Sequence, residues 1–257
     1  MIYHNVNNFA GEKYNLFPYK NTFLQRALDI RIKIANYFFE LYFRKIICKI
    51  KKEGVYKVFE SPAKMNEWGK SHSDYFKESR KIKSRGWIAN EEDKNRINEL
   101  ENINFYCGHG SEYVNDCLRK NRLIDIPIYK NIPFYLKSLI NKFEIEDDII
   151  VIRRIPSLVL KKENYKEGNL YKDKAFLSTS LNINYRLNYQ SEERKLNKDV
   201  LCIIKVPKGT KGVYIHKALE DEGGRNEYEV LFNTETLFIV EKRRKIFNNY
   251  ILNLKII

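Results

Sequence analysis

Between residues 22 and 52 the apolar side chains Phe23, Leu24, Leu28, Ile32, Ala35, Phe39, Tyr42, Phe43, Ile46, Ile47 and Ile50 recur mostly at steps of three and four. Arg and Lys fill the positions between them, which predicts one long amphipathic helix with a basic outer side. Gly54 supplies a stop and Ser61-Pro62 a second break, so the boundary of this extension falls near Phe59. The chain thus divides into a helical extension over 1–58 and a second domain over 59–257. From 62 to 100 the sequence is charged, with isolated Trp68, Tyr75, Phe76 and Trp87. This pattern fits two or three short helices that dock their rings on something larger. After Glu146 the pattern changes. Residues 149–152, 175–177, 200–206, 212–215, 228–232 and 236–240 are short, β-branched or aromatic runs separated by Gly, Pro or Asn, and predict six strands. Helices followed by strands, without regular alternation, predict an α+β fold rather than a doubly wound sheet.

Composition narrows this picture. A chain of 257 residues with 43% hydrophobic content can bury a core without staples. Cys48, Cys107, Cys117 and Cys202 show no paired spacing, and His4, His72, His109 and His216 form no ligand pair, so no metal and no disulfide framework are expected. The net charge of +14 creates a field that draws anionic partners, although a Lys-rich compositional bias explains it equally well. Every apolar run is interrupted by charge before the roughly 18 residues a membrane span needs. Residues 1–11 carry neither the basic nor the apolar region of a secretory signal. No G-x-G-x-x-G is present, so a dinucleotide site here is not a Rossmann site.

Three strand-associated motifs carry chemistry. Asp148-Ile149-Ile150-Val151-Ile152-Arg153-Arg154 ends an apolar strand in guanidinium groups, whose planar forks can hold a phosphate bidentately. Phe176-Leu177-Ser178-Thr179-Ser180-Leu181 places three hydroxyls at the end of another strand. Asn226-Glu227-Tyr228-Glu229-Val230-Leu231-Phe232 sets two carboxylates two residues apart, which in a regular strand puts both on one face and Tyr228 on the other. Each has a bland reading: a strand end reaching solvent, a turn, an exposed E-x-E. Their order in one chain is what singles them out.

On these motifs the chain resembles the arginine-specific bacterial ADP-ribosyltransferase exotoxins, especially the enzymatic components of clostridial and bacillary binary toxins. The resemblance extends over about 61–257. It includes Met65-Asn66-Glu67-Trp68-Gly69-Lys70, the stretch from Tyr106 through Val114-Asn115-Asp116-Cys117-Leu118-Arg119, and Val206-Pro207-Lys208-Gly209-Thr210-Lys211-Gly212-Val213-Tyr214-Ile215. It implies the ADP-ribosyltransferase fold, with N-terminal helices followed by two packed, mostly antiparallel sheets around an NAD cleft, and NAD as co-substrate. By the same resemblance Arg153 grips an NAD phosphate with Arg154 beside it, and Tyr106 and Asn115 contact the cofactor. Ser178 braces the catalytic carboxylate, Glu229 stabilises the ribose as nicotinamide leaves, and Glu227 engages the acceptor arginine. Tyr189 is the candidate aromatic wall for nicotinamide. The implied partners are a target protein bearing the acceptor arginine, with actin one option, and a delivery partner, the enzyme being secreted and acting in another cell. Nucleic acid is not expected as a partner. Gly224 departs from the pattern, standing where these toxins carry an aromatic ring three positions before the first glutamate. The 22–52 helix lies outside the resemblance; packing cap, partner docking and membrane-surface contact are its three readings. An NAD glycohydrolase, a transferase to a non-arginine acceptor, an inactive binding module and a cytoplasmic location are the alternatives.

Overall fold

In the computed structural model the expected long helix is α1 (Thr22–Glu53), and the residues described are 22–156, 165–184, 199–216, 228–247 and 249–257. Lys51 and Lys52 in its last turn favour the carbonyl end of the helix, and Gly54 at φ 69° closes it in a conformation that suits glycine. Phe43, Ile47 and Ile50 lie one turn apart on its inner side and are buried. They pack on Ile150, Ile152, Leu201, Ile203 and Ile251, so the second half of α1 caps one face of the sheet.

The helical block follows as α2 (Pro62–Trp68), α3 (Lys70–Ser84), α4 (Glu91–Phe105), a π-helical turn (Tyr106–Gly110), α5 (Ser111–Lys120) and α6 (Ile132–Asn141). Ser61 caps α2 by accepting from the Lys64 amide at 3.4 Å, with Pro62 in the first helical position. Gly69 joins α2 to α3 against the Tyr214 ring, where a Cβ atom would stand 2.0 Å from Tyr214 Cδ1; only glycine fits. Nearby, the Tyr214 amide donates to His72 Nδ1 at 2.7 Å. Burial pushes the pKa of this histidine down to about 4, which keeps it a neutral acceptor.

Eight strands follow: β1 (Ile149–Pro156), β2 (Leu170–Asp173), β3 (Leu177–Ser180), β4 (Asp199–Val206), β5 (Gly212–Tyr214), β6 (Glu229–Phe232), β7 (Thr236–Ile246) and β8 (Asn249–Ile256). They form one sheet in the order β2-β7-β8-β4-β1-β3-β6-β5, antiparallel throughout except for β4 beside β8. The expected two sheets are therefore one, but the ladder narrows between β1 and β3 to the single pair Ile152↔Ser180. On one side of that joint lie five strands, on the other three. Val151, Cys202, Leu254 and Phe238 of the larger part and Leu177, Val230, Phe232 and Tyr214 of the smaller share one interior cluster. The sheet is thus folded at the joint with its inner face turned upon itself. The helical block covers the outer face of the smaller part through Phe76, Leu100, Ile103, Leu136 and Leu139 against Val213, Ile215 and Leu231.

Several strand boundaries differ from the sequence reading: β1, expected to end at Ile152, runs on to Pro156, and β4 and β5 differ by one residue at an end. The run expected at 175–177 is strand at Leu177–Ser180, and the one expected from Tyr228 begins at Glu229, because Tyr228 has φ 46°. β7 continues past Val240 through Glu241-Lys242-Arg243-Arg244-Lys245, and β2 and β8 are additional strands. In β8 both Ile251 and Leu252 are buried because core lies on both sides of the sheet, so the alternation that marks a half-exposed strand is lost.

Candidate active site

The candidate side chains among the described residues lie on either side of the joint where the sheet folds. Arg153 follows Ile152 in β1, paired with Cys202 of β4, and is mostly buried. Its guanidinium approaches Asp173 at the end of β2, with Nη1 4.0 Å from Oδ2. Asp173 is buried and also holds Arg119 of α5, whose Nε and Nη2 each lie 3.3 Å from one carboxylate oxygen, while the Ala175 amide donates to Oδ1 at 3.0 Å. One carboxylate thereby orients two guanidinium groups from two different elements. Arg153 Nη1 is nonetheless shielded and makes no hydrogen bond, and a buried donor in that state is stabilised by an anionic acceptor. With Arg154, Arg119, Tyr165 and Tyr171 these groups line a cavity of about 150 Å³ floored by Leu177, Ile204, Phe238 and Leu254. That is below the roughly 300 Å³ of a typical ligand site, enough for one part of a dinucleotide. Cys202 on its wall stays a neutral thiol, because burial raises its pKa to about 12.

Across the joint, Ser180 of β3 stands directly opposite Glu229 of β6, and Ser178 opposite Leu231. Ser178, Ser180 and Glu229 therefore share one face, with Ser180 the direct neighbour of the carboxylate and Ser178 its diagonal one. Thr179 turns to the other face, where its hydroxyl donates to the Val230 carbonyl at 2.8 Å and closes the two strands. Tyr228 is buried, stacks on His216 with ring centres 4.3 Å apart, and accepts the Leu181 amide at its carbonyl. Its left-handed backbone, uncommon for a tyrosine, precedes the regular strand, which begins at Glu229. Glu227, Tyr189 and Gly224 lie outside the described residues.

Tyr106 and Asn115 lie beneath this arrangement. Asn115 donates to the Tyr106 hydroxyl at 2.8 Å and accepts the Phe176 amide at 3.2 Å, fastening the helical block to the residues that lead into β3. The Tyr106 ring is buried edge-on to Phe176. Burial raises the pKa of its hydroxyl and the hydrogen bond from Asn115 opposes this, with smaller effects from the charges of Glu229, which raises it, and Arg153, which lowers it. Tyr106 also opens the π-helical turn, a distortion common at functional sites. Asp173 and Ser180 were not singled out for their own roles in the sequence, and Arg119 only as part of a longer stretch. A single Asp between two lysines has no sequence signature, whereas the place of Ser180 follows from strand register. Among the described residues no group of three or more His, Cys, Asp and Glu stands together as a metal site.

The family described as ADP-ribosyltransferase exoenzyme matches residues 65–256. Among solved structures the chain is similar to C3stau2 from S. aureus, determined with NAD, at 19% identity over 79% of this chain and 98% of that one, with a TM-score of 0.56. It is similar to BECa, an ADP-ribosylating toxin of a binary enterotoxin of C. perfringens determined with NADH, at 19% identity, 79% and 50% coverage and a TM-score of 0.57. The ADP-ribosyltransferase Vis, determined with agmatine, matches at 20% identity, 78% and 88% coverage and a TM-score of 0.51. At these identities the likenesses speak to the fold alone, and no curated protein matches the chain. With the family model matching residues 65–256, most of the chain, and the fold resembling those of solved ADP-ribosyltransferases, the chain belongs to the ADP-ribosyltransferase exoenzyme family.

Proposed function

We propose that this enzyme splits NAD between nicotinamide and ribose and transfers ADP-ribose to an arginine of a target protein, acting as a secreted toxin inside another cell. The observation that supports this most is the joint itself, which sets Arg153, whose buried Nη1 makes no hydrogen bond, on one part of the sheet and the Ser180–Glu229 pair on the other. Arg153 holds a phosphate oxygen of NAD, and Arg154 and Arg119 add positive charge at the same cavity. Glu229 faces the ribose, with Ser178 and Ser180 on the same face to fix its carboxylate. As the glycosidic C–N bond breaks, its electron pair leaves with nicotinamide, and the positive charge on the ribose is stabilised by the fixed carboxylate. An acceptor guanidinium nitrogen then bonds to the ribose carbon and loses a proton to Glu227. Agmatine, the ligand of Vis, carries the same guanidinium group.

Two measurements test the reading. Replacing Arg153 by Ala should weaken NAD binding about ten- to a hundredfold, the scale of a lost charge-assisted hydrogen bond. Arg153→Lys should fall in between, since it keeps the charge without the fork. Unchanged NAD affinity in titrations of the folded Ala variant removes Arg153 from the site.

Glu227→Gln should separate the two half-reactions, because a guanidinium with pKa above about 12 needs a carboxylate to orient it and take its proton, whereas water does not. Labelling of acceptor proteins should disappear while nicotinamide release continues. If the variant labels acceptors at the wild-type rate, the arginine assignment fails. Nicotinamide release by wild-type enzyme without any labelled acceptor would point instead to an NAD glycohydrolase.

A further inference from the structure

α1 is apolar on two sides, and the fold uses only one. Phe43, Ile47 and Ile50 face the sheet, whereas Ile30, Ile34, Tyr37, Phe38 and Leu41 are exposed by 45% to 62%. At about 3.6 residues per turn these five fall on one stripe, centred nearly opposite the buried face. Nothing in the core requires large hydrocarbon groups there. Exposed lysines and arginines border the stripe: Arg26 and Lys33 along one edge, Arg31 and Lys49 along the other, and Lys45 at its end one turn beyond Leu41. The whole helix carries eight Lys and Arg against three Asp and Glu.

A second element reaches the same surface. Phe247, at the tip of the β7–β8 hairpin with φ 52°, is 53% exposed, and its ring centre lies 6.1 Å from that of Phe38. In the strand leading to this tip Lys242 and Arg244, paired with Asn253 and Ile251, share the side of the sheet that α1 covers, whereas Arg243 and Lys245, paired with Leu252 and Tyr250, lie on the interior side. An apolar ridge contributed by a helix and a hairpin is thus bordered by the cations of α1, with Lys242 and Arg244 on the same side of the sheet.

We infer that this ridge is a docking surface for an anionic phospholipid membrane, with Ile30, Ile34, Tyr37, Phe38, Leu41 and Phe247 entering the headgroup boundary and the flanking cations meeting lipid phosphates. The physical fit is that of an interfacial amphipathic helix, which lies in the membrane plane with its hydrocarbon stripe down and its cations at headgroup level. No described helix is long and apolar enough to cross a membrane, so the contact is peripheral. A second copy of the chain would bring the same cationic borders together. A nucleic acid would use the cations but gain nothing from Ile30, Ile34 and Leu41, which have no ring on which a base can stack. The inference does not depend on the catalytic reading.

Flotation of the full chain with vesicles tests it. The protein should float with phosphatidylcholine vesicles containing phosphatidylserine, float less with phosphatidylcholine alone, and be released by salt, which screens the cations. The double substitution Ile34→Glu with Leu41→Glu, both on exposed positions, should lower partitioning at least about tenfold, the scale set by one large apolar side chain no longer leaving water. Its circular dichroism and thermal unfolding should match wild type. Should it fail to fold, Ile34→Ser with Leu41→Ser takes its place and should show a smaller loss in the same direction. Wild-type flotation by a folded variant, or no flotation of the parent on anionic vesicles, overturns the inference. So does a lipid-free dimer that the substitution dissociates, or an RNA complex that it abolishes.

Discussion

Glu229→Gln is expected to lower kcat for every NAD-splitting reaction of this enzyme by about a hundred- to a thousandfold, the scale for removing one preorganised contact to a charge that exists only in the transition state. The substitution preserves shape and removes charge. Positive charge develops on the ribose whether the acceptor is arginine or water, so both activities should fall together. The fold should survive, because Glu229 is only half-buried and its strand is held by Thr179, Val230 and the Tyr228 carbonyl. Nicotinamide release by the purified variant is the measurement, and a kcat within tenfold of wild type would sink the assignment. Since the step is split between Glu229 and whatever holds it, Ser178→Ala and Ser180→Ala measured beside it show which hydroxyl fixes the carboxylate.

Phe43→Ala should destabilise the protein by about 3 to 5 kcal/mol, the range for emptying an aromatic site in a packed core. Phe43 is 1% exposed, and with Ile47 and Ile50 it covers Ile150, Ile152, Leu201, Ile203 and Ile251. The effect reaches the active site because Ile152 precedes Arg153 and forms the joint with Ser180. Removal of residues 22–53 exposes that entire face, and the remaining chain is expected to aggregate rather than retain NAD hydrolysis. Urea unfolding followed by circular dichroism measures the first effect. A Phe43→Ala midpoint equal to wild type would mean the helix is not part of the core.

The contrast between what the sequence revealed and what it hid has physical causes. α1 was legible because a long helix repeats its period many times, and its end was marked by Gly54. The single-sided reading of its apolar residues was incomplete, because Ile30, Ile34, Tyr37 and Leu41 belong to the opposite side. β8 was missed because it is covered on both faces, and the extension of β7 because its Lys and Arg residues run beyond the core. Arg153, Ser178 and Glu229 stood out as motifs, each next to an apolar run. Asp173 did not: its role comes from α5 and β1 meeting it in space, which no local pattern encodes. The run expected to be strand from Tyr228 is regular only from Glu229, since the backbone at Tyr228 is left-handed.

The single pair Ile152↔Ser180 has a mechanical consequence. Where the ladder narrows to one pair, fewer backbone hydrogen bonds fix the angle between the two parts and the shared side-chain cluster must hold it, and the proposed phosphate grip and ribose carboxylate lie on opposite sides of that narrow joint. On the proposed reading, a donor molecule held by both Arg153 and Glu229 would form a second stitch between the two parts, stiffen the joint and help align the ribose with Glu229. Amide hydrogen exchange at Ile152, Ser180 and their neighbours should then slow when NAD is added to wild-type enzyme and slow much less in Arg153→Ala at the same fractional occupancy. Equal protection in both would mean that the two parts already move as one body, and that the narrow joint serves only to turn the sheet.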